Sequence, residues 1–228
     1  MDESISKQNY EDLITHLYRI IKQMILDKAL LPGNKIRQEQ LAQQLGVSRT
    51  PVIKALQYLS KDNLVEYIPR RGFYVKQLDL EEMLNIFDVR EVVEGVSAKT
   101  IAEFGSDQEI ASLKVIFLPF LNNLWDEQTK LAYKEADHQF HLCLVELSTN
   151  KLLFKVVEMF NIYTFSYQKG LFRHPSETLL EHLRIIDAIE KRDSLMAQNL
   201  AILHIENSKK NIARCYLKQG KNIGEIRW

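Results

Sequence analysis

The sequence predicts a mainly α chain: three helices and a β-hairpin first, then an all-helical antiparallel bundle of about six helices. Three observations lead there. Apolar residues recur at helical spacing through most of the 228 residues. Gly (8) and Pro (5), which mark turns, are scarce. Two β-rich runs stand together in one place, on either side of Pro69-Arg70-Arg71-Gly72. At 46 % hydrophobic and 26 % charged the chain has ample core and is not of the disordered class. No apolar run approaches the roughly 18 residues of a membrane span, and the polar, acidic start MDESISKQNYEDL is unlike a signal peptide. The two cysteines, Cys143 and Cys215, form no CxxC pair, which argues against a disulfide scaffold or a Cys-rich zinc module. A cytoplasmic location without a membrane partner is expected.

In the first part, Tyr10 to Lys28 places Leu13, Leu17, Ile20, Ile21, Met24 and Ile25 on a helix that should stop near Leu31-Pro32-Gly33. A short second helix reads Gln38 to Leu45, with Gly46 as a left-handed cap. Ser48 caps a third helix that tolerates Pro51 in its first turn and buries Val52, Ala55, Leu56 and Leu59. The three-residue join Gly46-Val47-Ser48 is the spacing of a helix-turn-helix, and the runs 64–68 and 73–75 around the basic turn make a wing. The expected unit is a winged helix-turn-helix over residues 1–76, followed by a helical domain over 77–228.

A net charge of zero weighs against nucleic acid on its face, but it is a cancellation. Residues 1–76 carry 12 basic and 8 acidic side chains, or +4; residues 77–228 carry 18 and 22, or −4. A recognition helix presents its N-terminal residues to base edges in the major groove. Here these are Ser48, Arg49 and Thr50, with Lys54 one turn on. Arg49 suits a guanine, and Thr50 a phosphate or a thymine methyl. Arg70 and Arg71 at the wing tip reach phosphates or the minor groove, Gly72 permits close approach, and Lys35 and Arg37 anchor the DNA backbone. Double-stranded DNA is the expected partner.

The second part reads as helix after helix: Leu80 to Phe104 with Gly105 at its end, Asp107 to Trp125 interrupted at Pro119, Thr129 to Leu147, Lys151 to Gly170, Ser176 to Lys191 and Ser194 to Lys218. Asp137 and His141, at i and i+4, share a helix face. His182 lies among Leu179, Leu183 and Ile186, and His204 beside Leu200 and Leu203. Each histidine taken alone suits a hydrogen-bonded core or surface role; together with Asp137 they also suit a divalent metal, zinc ahead of nickel, manganese or iron.

Leu30-Leu31-Pro32-Gly33, the run Leu41-Ala42-Gln43-Gln44-Leu45-Gly46-Val47-Ser48-Arg49-Thr50-Pro51-Val52, Ala55-Leu56, Leu64-Val65 and Arg71-Gly72 resemble the winged helix of GntR-family bacterial transcription regulators. The resemblance implies a homodimer that reads a short palindromic operator. Where the family usually continues with Arg-Glu-Ala-Leu, this chain has Ile53-Lys54-Ala55-Leu56, so an Arg that commonly contacts DNA is replaced and Lys54 stands one step, about 100°, round the helix. The run 87–94 resembles the opening of the helical FCD effector domain of the FadR-like subfamily, and Asp137-x-x-x-His141, Glu181-His182 and His204 resemble its metal set. A small organic acid beside the metal is implied as effector, with Arg90 as its partner; Arg90 also has an alternative partner in Glu94 at i+4. His138 points elsewhere on its helix and is not expected to be a ligand. Tyr163, Phe165 and Tyr167 replace an Arg-rich stretch common in the subfamily and are expected in the core, which suggests a less charged effector. The expected function is a ligand-responsive repressor, not an enzyme. The alternative is a helical-bundle metalloprotein with a structural or hydrolytic metal; no general base or nucleophile is evident beside the histidines, and the single Glu135-x-x-His138 excludes a di-iron centre built on two such motifs.

Overall fold

A computed structural model describes residues 2–122, 124–159, 162 and 173–218 of the chain. Contacts divide it into two compact units, one ending at Gln77 and one starting at Leu78.

In the first unit α1 spans Asp2–Leu26, longer at its start than the apolar periodicity indicates. Ile14, Leu17, Ile21 and Ile25 form its buried stripe. The helix ends before Pro32, because Lys28 turns left-handed (φ 59°) and Leu30 N–H bonds back to Met24 C=O at 3.0 Å. α2 (Gln38–Gln44) closes on Gly46 at φ 67°, with Gly46 N–H on Gln43 C=O and Val47 N–H on Ala42 C=O. That is a Schellman cap, and its left-handed residue explains the glycine. α3 (Arg49–Lys61) follows at once and buries Pro51, Val52, Ala55, Leu56 and Leu59. Ser48 holds the N-cap position in extended geometry but makes no side-chain cap bond, so its hydroxyl is not used by the helix. β1 (Val65–Ile68) and β2 (Gly72–Val75) pair antiparallel, Val65 opposite Val75 and Ile68 opposite Gly72. Arg70 (φ 65°) and Gly72 (φ 98°) supply the left-handed turns of the tip. Ile36 N–H to Phe73 C=O (2.8 Å) and Val75 N–H to Asn34 C=O (2.9 Å) lay the segment before α2 along the hairpin, which fixes Lys35 and Arg37 beside it.

In the second unit α4 runs Leu80–Phe104, opened by a capping box between Asp79 and Glu82. α5 (Asp107–Val115) is opened by another, Ser106 with Glu109. The expected helix to Trp125 ends early: α5 stops at Val115 and a 3₁₀ turn, Leu118–Phe120, carries Pro119, whose ring and missing N–H do not fit an α-helical interior. α6 (Glu127–Leu147) starts two residues ahead of expectation because Asp126 accepts from Thr129 N–H and caps it. α7 is described over Lys151–Met159. The expected continuation to Gly170, with Tyr163, Phe165 and Tyr167, lies outside the described residues. α8 is Pro175–Glu190, with His174 as N-cap and Pro175 in the first turn, and α9 is Ser194–Lys218. α9 packs along α4, and α8 packs against α9, α4 and α5. Phe117, Tyr133, Phe140, Ile185, Ile189 and Ala201 belong to the core between them. Gly95 lets α4 and α9 approach: a Cβ there would sit 2.8 Å from Ile202 Cγ1.

Candidate nucleic-acid interface and metal centre

The first site lies on the winged helix. Lys35, Arg37, Arg49, Lys54, Arg70, Arg71 and Gly72 line one concavity of about 1230 Å³, with Lys61 and Glu39. Seven basic side chains thus face one acidic one, enough to attract phosphates although the unit's total charge is only modestly positive. Ser48 and Thr50 are exposed at the start of α3, outside the lining. Ile53, where the family has Arg, is half-buried in the lining, with Lys54 exposed next to it. Arg49 does not extend freely: its Nη1 donates to Glu39 Oε1 at 2.9 Å, and its Nε and Nη2 donate to Gln38 Oε1 at 3.3 and 3.1 Å.

The second site lies inside the bundle. α6 supplies Asp137 and His141, α8 supplies His182 and α9 supplies His204, all buried. One ring nitrogen from each histidine lies within 4.8 Å of those from the other two. His204 Nε2 is 3.1 Å from His182 Nε2 and 3.4 Å from His141 Nε2. Asp137 Oδ1 is 3.7 Å from His182 Nε2, and Oδ2 is 3.8 Å from His141 Nε2. All four sequence-selected residues therefore meet. His138 is half-buried and outside the group.

The other ring nitrogens decide the chemistry. His141 Nδ1 meets Glu94 Oε2 at 2.5 Å, and His204 Nδ1 meets Glu181 Oε2 at 2.7 Å. An ionised carboxylate only accepts, so both imidazoles carry their proton on Nδ1. His182 Nδ1 meets Tyr133 Oη at 3.1 Å, Tyr133 Oη meets Thr178 Oγ1 at 2.9 Å, and Thr178 donates to Pro175 C=O at 3.3 Å. Since that last step uses the threonine proton, the chain runs His182 N–H to Tyr133 O–H to Thr178 O–H to the carbonyl. Three Nε2 lone pairs and an acidic oxygen then converge. Acceptors facing acceptors in a buried space are stabilised by a cation. A proton is disfavoured: burial pushes His182 well below its ordinary pKa, with His204 and His141 adding to it, and burial with His141 pushes His204 down against the opposing pull of Glu181 and Asp137. The donor set fits zinc or another borderline divalent metal, with each imidazole held by an outer partner as metal-binding histidines usually are. Phe117 stacks on His182 (ring centroids 4.8 Å apart, 13° between planes) and restricts its rotation.

Burial alone would raise the Glu94 carboxyl, but Arg90 and His141 outweigh it and hold it at about 2. Glu181 is likewise held at about 2 by His204 and by Arg173, which grips both its oxygens at 2.5 and 2.8 Å, against the opposing effect of burial. Arg90 is buried with its Nε on Glu94 Oε1 at 2.7 Å and its guanidinium 4.9 Å from the Phe87 ring centroid. It thus has the ion pair with Glu94 that the i+4 spacing offers.

Sequence reasoning left Tyr133 out of the site, named Glu94 only as an alternative partner for Arg90, and carried Glu181 only as the neighbour of His182 in the resembling motif. Tyr133 was within reach, since 133, 137 and 141 fall on one helical stripe. Glu181, next to His182 in sequence, points about 100° away from it and meets His204 of another helix, which no periodicity indicates.

Residues 13–75 match the family model for bacterial regulatory proteins of the gntR family, and residues 85–207 match that for the FCD domain. The HTH-type transcriptional regulator YdhC of Bacillus subtilis is 26 % identical over 207 residues, covering 90 % of this chain and 92 % of that protein. The HTH-type transcriptional repressor RspR of Escherichia coli is 24 % identical over 205 residues, covering 86 % of this chain and 87 % of RspR. In fold, the chain is similar to a GntR transcriptional regulator from Rhodococcus sp. RHA1, with a TM-score of 0.74 at 22 % identity, covering 89 % of this chain and 98 % of that one. No described helix is long and apolar enough to cross a membrane. With an N-terminal gntR match on the winged helix and an FCD match over more than half of its length, the chain belongs to the GntR family of DNA-binding transcription regulators, in the group that carries an FCD domain.

Proposed function

We propose that the chain is a ligand-responsive repressor whose helical domain binds a divalent metal, zinc in the first instance, through Asp137, His141, His182 and His204, and a small carboxylate metabolite beside it. The single observation that carries the metal is the convergence of three Nε2 atoms whose opposite nitrogens are all committed as donors. A metal there would supply a fixed positive charge with coordination positions open to a carboxylate oxygen. Around it Glu94, Tyr133 and Glu181 orient the rings. Arg90 is assigned to the effector's acid group, with its pull weakened by the Glu94 pair, which favours an effector of low charge.

On the DNA side, Ser48, Arg49, Thr50 and Lys54 are assigned to base edges and nearby phosphates, and Lys35, Arg37, Arg70, Arg71 and Gly72 to the DNA backbone and minor groove. A homodimer on a palindrome is favoured because each winged helix brings only +4. The repressor sense rests on the likeness to RspR, which is named a repressor. The test is a gel-shift titration on the protein's own upstream region, with metal-loaded and chelator-treated protein, over a panel of small mono- and dicarboxylates. An affinity shift of fivefold or more with one acid is expected, since two linked sites must influence each other; equal affinity under all conditions removes the ligand-responsive claim. Transcription in vitro gives the sign.

A further inference from the structure

Among the side chains lining the winged-helix concavity, Glu39 is the one that is acidic. It sits in the first turn of α2, its side chain 78 % exposed, with Oε1 2.9 Å from Arg49 Nη1. Gln38 takes two more donors of the same guanidinium. Of arginine's five N–H groups three are held across the turn between α2 and α3, which leaves two for another partner. Gln38 also reaches the wing, its Nε2 3.5 Å from the point a Cβ on residue 72 would occupy. An ion pair this exposed adds little to stability, and a carboxylate on a DNA-facing surface subtracts from attraction to phosphates. Its use is orientation and selection. A carboxylate only accepts hydrogen bonds. In the major groove, cytosine N4 offers it a donor with no acceptor on the same base, whereas guanine and thymine oppose it with acceptors.

We infer that Glu39 is a positioning and specificity-determining residue of the DNA interface: it aims Arg49 at a guanine and accepts from the N4 amine of a neighbouring cytosine. The inference rests on the base-reading role proposed for Arg49. The experiment selects binding sites from a randomised duplex library with the wild-type chain, Glu39→Gln and Arg49→Ala, and measures affinity for a random-sequence duplex. The wild type should enrich guanine with an adjacent cytosine. Glu39→Gln should keep the guanine, lose about tenfold of the cytosine preference in favour of adenine, whose N6–N7 edge suits an amide, and bind random duplex severalfold more tightly because one negative charge is gone. A purely structural Glu39 would leave the base preference unmoved. An unchanged cytosine preference in Glu39→Gln, with guanine lost in Arg49→Ala, overturns the Glu39 role alone. No change of preference in either variant overturns the Arg49 reading itself. Thermal melts of both variants verify that they are folded.

Discussion

Replacing Glu94 with Gln tests the buried network around the candidate metal centre most directly. Glu94 is 1 % exposed, and its oxygens take Arg90 Nε at 2.7 Å and His141 Nδ1 at 2.5 Å. Glutamine keeps the shape, but its amide has one acceptor where two donors arrive, and the Arg90 charge loses its counterpart. Removing one member of a buried pair costs about 3–5 kcal/mol. The carboxyl pKa gives a similar figure, because its displacement from 4.5 to about 2 corresponds to roughly 3 kcal/mol in favour of the charged form. The sign follows from proton uptake. A depressed carboxyl stabilises the fold fully above pH 4.5, and that contribution is lost as the pH falls toward 2. Urea unfolding of the metal-free proteins at pH 7 should therefore show Glu94→Gln less stable by ~3 kcal/mol, the gap narrowing in acid. Metal affinity, read by competition with a chromophoric chelator, should drop about 10- to 100-fold as His141 loses its orienting acceptor. An unchanged unfolding midpoint together with unchanged metal affinity would refute both the ionised state of Glu94 and its hold on His141.

Three further outcomes are expected. Arg49→Ala should weaken operator binding by roughly 1–3 kcal/mol with an unaltered circular dichroism spectrum; an identical gel shift would defeat the recognition-helix assignment. His182→Ala should remove stoichiometric metal, and elemental analysis of the purified variant still showing one metal per chain would refute the ligand set. Gly95→Ala puts a Cβ 2.8 Å from Ile202 Cγ1. Overpacking of about 1–3 kcal/mol should outweigh the ~1 kcal/mol that alanine gains over glycine in a helix, so the melting temperature should fall, and a rise would contradict the close approach of α4 and α9.

Much of this was legible in the sequence because the signals are local. The α4 bounds Leu80–Phe104 and the α9 bounds Ser194–Lys218 were readable from apolar periodicity and caps. The α2–α3 join followed from Gly46 and Ser48. The departures are also local in cause. α1 ends at Leu26, just before a left-handed Lys28 and ahead of the expected Pro32-Gly33, and the helix after Asp107 gives way to a 3₁₀ turn at Pro119. His182 and His204 stood out as polar residues on apolar faces, and Asp137 and His141 as an i, i+4 pair on one face.

By itself, then, the sequence indicated the two-part helical plan and the basic residues of the recognition helix and wing, because helical period, capping and charge each act within a few residues, and motif resemblance added the four candidate ligands. Only the tertiary structure decided what those ligands are committed to. Glu94 reaches His141 across 47 residues, Tyr133 reaches His182 across 49 and Glu181 reaches His204 across 23, and Glu39 and Gln38 meet Arg49 over a helix turn. The proton positions on three imidazoles, and so the reading of a cation site rather than a hydrogen-bonded core, depend on partners brought from other helices by packing. No spacing rule along one chain segment encodes which side chain of a neighbouring helix will face it.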